Sequence, residues 1–165
     1  MSDTFLVVTS TAVGVIITAL IFWGGFKLTR TKLRRASSSQ LISSKDNGDI
    51  NIPLVAAFAG WKAIPWLTWL HSDISPMLLL QKHHVTYKVV RKHRQAYHDI
   101  DYVDFRQALA TTNIILVFKG KWSTFSGNTA NINLATQALE IFQQKGCQLS
   151  QRAHQLVESV AVEPR

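Results

Sequence analysis

Apolar and polar residues divide this chain into zones of different period. Positions 5–26, FLVVTSTAVGVIITALIFWGGF, hold no Asp, Glu, Lys, Arg, His, Asn, Gln or Pro. That run exceeds the ~18 apolar residues that mark a transmembrane helix, and as a helix it would reach about 33 Å, enough to cross a ~30 Å hydrocarbon core. Positions 36–49, ASSSQLISSKDNGD, are Ser-rich and aperiodic and read as a flexible tether. Apolar character returns in IPLVAAFAGWKAIPWLTWL, from Ile52 to Leu70, interrupted by Gly60, Lys62 and Pro65. Three readings of this stretch stand: a second crossing, a helix lying in the headgroup region, or a helix packed against the domain or a partner. Lys62 near its middle costs ~2.5–3.5 kcal/mol at the centre of a span and Pro65 follows closely, which weighs against a crossing. Trp61, Trp66 and Trp69 favour a helix lying in the headgroup region, where an indole keeps its ring apolar and its N–H wet, or one plugging into the domain.

From Ser75 the period shortens. PMLLLQ, VTYKVVRK, AYHDIDYVDF, NIILVFKG and KWSTFS are rich in Val, Ile, Tyr, Phe and Thr and are separated by polar or Gly-containing steps, the pattern of antiparallel strands. Val85, Tyr87 and Val89 alternate with Thr86 and Lys88, and Lys119-Gly120-Lys121 reads as a hairpin turn. After Asn128 the period becomes helical, with Asn131 or Asn133 as a cap and Lys145-Gly146 as a stop; a second short helix follows around Ala153, Leu156, Val157 and Val160. The fold class expected is α+β: one N-terminal transmembrane helix, then a small antiparallel sheet closed by C-terminal helices. The corresponding segments are 1–35 for the anchor and its basic flank, 36–51 for the linker, 52–71 for the Trp-rich stretch and 72–165 for the domain.

The order of these elements, from SPMLLLQ through HDIDYVDF, NIILVFKG and WSTFS to the closing NLATQALEIFQQKG, resembles the pleckstrin-homology-like domains of bacterial membrane-associated proteins, over roughly Ser75 to Gly146. The resemblance implies a partial barrel that docks proteins or lipid headgroups without catalysis. Phosphoinositide-binding members place cations in the loop joining the first two strands, where this chain has Lys82, His83 and His84.

Charge sharpens the picture. The chain carries 18 Lys and Arg against 10 Asp and Glu, a formal charge of +8. Lys27, Arg30, Lys32, Arg34 and Arg35 follow the apolar run, while only Asp3 precedes it, so the positive-inside bias puts the N-terminus outside and the domain in the cytoplasm. A single-pass topology follows from that reading, and the resemblance to bacterial proteins implies a bacterial inner membrane. Trp23 suits the cytoplasmic interface. Ser10, Gly14 and Thr18, four residues apart, form a stripe of small side chains that would let another helix approach, although such residues are also common in membrane helices.

Lys82, His83, His84, Lys88, Arg91, Lys92 and Arg94 lie in thirteen residues without an acid. An anionic lipid or partner site is one reading, and a solvated strand protected from aggregation is the other. Base-stacking aromatics beside them are limited to Tyr87 and Tyr97, which disfavours nucleic acid. The histidines lack a metal-ligand pattern, and the single cysteine, Cys147, allows no internal disulfide and reads as a packed thiol. Asp99, Asp101 and Asp104 have no phosphate-cradling loop beside them and read as a polar strand face. With no catalytic motif, metal site or cofactor indicated, two functions are expected: a membrane-anchored adaptor that binds a protein or anionic phospholipid, or a constitutive small subunit of a larger membrane complex.

Overall fold

Among the described residues, ten strands and two α-helices build the C-terminal part of the protein. The structure, a computed structural model, describes residues 14, 17, 18, 23, 42–43, 48–62, 64–72, 75–108 and 111–162. The chain divides into two units, Met1–Arg35 and Ala36–Arg165. In the first, Gly14, Ile17, Thr18 and Trp23 are helical, and the Thr18 hydroxyl donates to the Gly14 carbonyl at 2.8 Å, satisfying itself one turn back. The remainder of the expected span, Ser10 and the five juxtamembrane cations lie outside the described residues. Among the described residues no helix is long and apolar enough to cross a membrane.

The second unit is α+β. Its strands are β1 (Ile42–Ser43), β2 (Ile50–Ile52), β3 (Ala56–Trp61), β4 (Ile64–Ser72) and β5 (Met77–Leu80), then β6 (His84–Lys88), β7 (Lys92–Ala96), β8 (Ile100–Ala108), β9 (Thr111–Phe118) and β10 (Ser123–Thr129). Helices α1 (Ile132–Gln144) and α2 (Gln151–Val162) follow. One sheet runs β1-β2-β5-β6-β7 and the other β4-β3-β10-β9-β8, with every pairing antiparallel.

The chain passes between the sheets at two corners. Pro53, which has no N–H for a ladder, separates β2 from β3; Ser75, at φ 51°, and Pro76 separate β4 from β5. Ile52 pairs with Leu78 and Ala57 with Ser72, so five residues along one strand match six along its partner. β2–β3 and β5–β4 therefore form one long hairpin bent across both sheets, and β3 pairs with β10 to join the first strands to the last. Between the sheets, the Tyr87 ring stacks on Phe118 at 5.2 Å and meets Phe125 at 4.9 Å. Leu78, Val85, Val103, Ile114 and Leu116 fill the same core, which Ala138, Leu139 and Phe142 of α1 extend.

Two expectations are corrected here. The stretch from Ile52 to Leu70 is not a helix but the end of β2 and the β3–β4 hairpin. Its helix-breaking residues fit that structure: Gly60 lies where the β3–β4 register shifts, and Pro65 lies in β4, an edge strand. In its β3 part Ala57 is fully buried in the core. The linker drawn over 36–51 is also too long, because Ile42 and Ser43 pair with Asn51 and Ile50. Further along, VTYKVVRK is two strands separated by Val89–Arg91, and AYHDIDYVDF begins with the end of β7 and a 3-10 turn over Tyr97–Asp99 before β8.

The helices end where their caps require. The Asn131 side chain accepts from the Leu134 N–H at 2.7 Å, and Gly146, at φ 82°, closes α1 with its N–H on the Gln143 carbonyl. Ser150 starts α2 by accepting from the Ala153 N–H. The segment before α2 is tied to β8: Val103 N–H donates to Gln148 and Ser150 N–H to Val103.

Candidate functional site

The register of β6 and β7 decides where the basic residues fall. Lys88 stands opposite Lys92, Tyr87 opposite His93 and Thr86 opposite Arg94. Val85, Tyr87 and Val89 are buried, so Lys88, Lys92 and Arg94 share the outward face. Lys82 and His83, both exposed, occupy the β5–β6 turn at the far end of this hairpin from Arg91. A five-residue strand separates them, about 16 Å at ~3.3 Å per residue. The seven expected residues therefore do not form one patch. His84 leaves the cationic set: it is half-buried, its Nε2 has no hydrogen-bond partner, and burial, then the nearby Arg94 charge, lowers its pKa.

Arg91 and Lys92 instead join a second group that the sequence pattern did not reveal. Three turns lie side by side at one end of the sheets: β3–β4 around Trp61 and Lys62, β6–β7 around Val90 and Arg91, and β9–β10 around Lys119 to Trp122. The Lys62 N–H donates to the Trp122 carbonyl at 2.7 Å, and Trp61 pairs with Ser123. Gly120, at φ 67°, makes the last of these turns. Trp122 is 84% exposed, Val90 55% and Trp61 51%, so each turn presents a large apolar side chain to solvent. Trp66 and Trp69 lie in β4.

Cations surround these apolar tips. Lys62 Nζ bonds Asp101 at 2.7 Å, which raises the lysine pKa. Lys119 Nζ donates to the His98 carbonyl and Lys121 Nζ to Gln95 Oε1. Arg91 and Lys92 are exposed and make no ion pair among the described residues. A cavity of about 530 Å³ opens beside the β6–β7 and β9–β10 turns and against Ala59 of β3 and Leu70 of β4, with Tyr87, Phe118 and Phe125 among its walls and Arg91, His93 and Lys121 at its edge. Trp122 was the residue least legible in advance; the signal was an indole directly after Lys-Gly-Lys, where a turn and not a strand exposes it.

The other candidate residues have structural partners. Asp99 accepts from Gln95 Nε2 at 2.5 Å, and Asp101 holds Lys62, so the two carboxylates do not converge. Asp104 is buried and receives hydrogen bonds from Ser150 and from both Arg152 Nε and the guanidinium terminus. Burial would raise its pKa, but the Arg152 and Ser150 hydrogen bonds outweigh that and hold it below the ordinary carboxylate value. Cys147 is buried, which pushes its thiol up to about 11. Among the described residues no cluster of His, Cys, Asp and Glu could hold a metal ion.

No protein-family model matches the chain, and a search of curated proteins finds no match either.

Proposed function

We propose that this protein is a non-enzymatic, single-pass membrane adaptor whose C-terminal domain is pleckstrin-homology-like and rests on an anionic lipid surface through its three neighbouring turns. The domain reading is supported by two long strands bent across both sheets, the pairing of β3 with β10, and a C-terminal helix on the core. In this reading residues 5–26 anchor the chain in a bacterial inner membrane, with the N-terminus outside and the domain in the cytoplasm.

The observation that carries the lipid reading is the joint exposure of Trp61, Val90 and Trp122 beside Lys62, Arg91, Lys92 and Lys121. Single exposed apolar residues are ordinary; three on adjoining turns, each flanked by a cation, match the chemistry of a headgroup region. Each Lys or Arg near an anionic surface contributes about 1 kcal/mol, and salt screens that attraction.

The test uses the full chain in nanodiscs of phosphatidylcholine with or without phosphatidylglycerol, the lipids brominated just below the headgroup. Tryptophan quenching is compared between the wild type and Trp122→Phe. The reading expects the Trp122 contribution to be quenched with phosphatidylglycerol, and less so at high salt. Equal quenching in both lipids would refute it.

A second reading is the constitutive subunit. It is favoured by β4, which closes one side of its sheet and pairs only with β3 among the described residues. A stable partner chain retained through a high-salt wash would support that reading.

A further inference from the structure

The cavity beside the β6–β7 and β9–β10 turns is too large to be a packing defect. Protein interiors leave few voids bigger than a water molecule, whereas about 530 Å³ falls within the range of ligand pockets. Its lining is graded. Phe118 and Phe125 are 1% exposed, and Tyr87 and Val89 are also buried, so they form its closed back wall; Val90, Arg91, Lys121 and His93, whose ring stacks on Tyr87, are exposed and form the mouth.

Charge is confined to that mouth. Among the described residues no acid lines the cavity and Arg91 has no ion-pair partner, while Lys121 Nζ sits 5.2 Å from the centre of the Phe118 ring. A ligand with polar groups along its whole length would find chiefly rings and hydrocarbon below the rim. One with hydrocarbon at one end and negative charge at the other matches the walls at both levels.

We propose that this cavity binds the hydrocarbon chain of an anionic single-chain amphiphile, with its head held by Arg91 and Lys121. The inference deepens the lipid-surface reading and rests on it for the source of the ligand, since the mouth lies among the turns assigned to that surface. It adds a stoichiometric internal site to a nonspecific surface contact.

The test is photolabelling of the full chain in phosphatidylcholine nanodiscs by hexadecanoate carrying a mid-chain diazirine, with the corresponding hexadecyl trimethylammonium probe as the cationic control. Labelled positions are mapped by peptide mass spectrometry. The expected result is labelling around Tyr87 to Val90 and Phe118 to Phe125, competed by unlabelled hexadecanoate. Loss of the two cationic contacts in Arg91→Glu/Lys121→Glu should lower it roughly tenfold, as should a cationic head. Ala59→Leu, which adds bulk to the cavity wall, should also lower it; the charge-reversal pair, placed at exposed positions, keeps the test valid if that core-side change disturbs folding. Equal labelling by both probes, or labelling confined to other peptides, would overturn the proposal. Turns that contact anionic lipid around an unlabelled cavity would overturn this inference and leave the surface reading standing. A labelled cavity with turns that ignore lipid charge would do the reverse.

Discussion

Asp104 shows how a single side chain can carry structure where the sequence suggested a surface. It lies on β8 and is satisfied by Ser150 and Arg152, which fix the start of α2 to the sheet. Arg152→Ala should cost about 2 kcal/mol, since hydrogen bonds to a buried charge are worth ~1.5–3, measured by chemical denaturation of the full chain. The pH dependence has a definite sign. Because the folded carboxyl titrates below its ordinary value, the unfolded chain takes up the proton first on acidification. The contribution is thus fully present at neutral pH and is lost as pH falls below about 4 and through the depressed folded value. Asp104→Asn should flatten that acid limb, and an unchanged limb would contradict the assignment. At the other end of α1, Asn131→Ala should cost about 1 kcal/mol by removing the cap on Leu134. Cys147, buried and with its thiol pushed up to about 11, should resist alkylation at neutral pH until the domain unfolds.

Among the elements, the β6–β7 hairpin places Lys88 directly opposite Lys92, an arrangement that disfavours the fold through repulsion. Lys92→Glu should therefore raise stability by ~0.5 kcal/mol, less at high salt, while reducing contact with phosphatidylglycerol nanodiscs. A loss of both stability and lipid contact would instead mean that Lys92 has a structural role. This hairpin also marks the limit of what sequence conveys. Its alternation of Val85, Tyr87 and Val89 was readable, as were the Asn131 cap and the turns at Gly120 and Gly146, because local chemistry determines them. The turn after Lys88 was not, since Val89, Val90 and Arg91 include no Gly or Pro. Without that turn, seven basic residues looked contiguous, although antiparallel pairing sends Lys82 and Arg91 to opposite ends. The β3–β4 hairpin was hidden differently: its run of apolar residues has no clean alternation, and a short buried run cannot be assigned to helix or strand by period alone. Long-range pairing with β10 resolves it.

At the level of the molecule, the lipid-surface reading has the three turns at one end of the C-terminal unit face anionic lipid together. Amide hydrogen exchange of the full chain tests it most directly, in nanodiscs of phosphatidylcholine alone and with phosphatidylglycerol added. Peptides over 61–64, 89–92 and 119–122 should gain protection together when the anionic lipid is present and lose it together as salt is raised. If those three segments exchange identically in both lipids, the domain does not rest on the surface through its turns and the account fails.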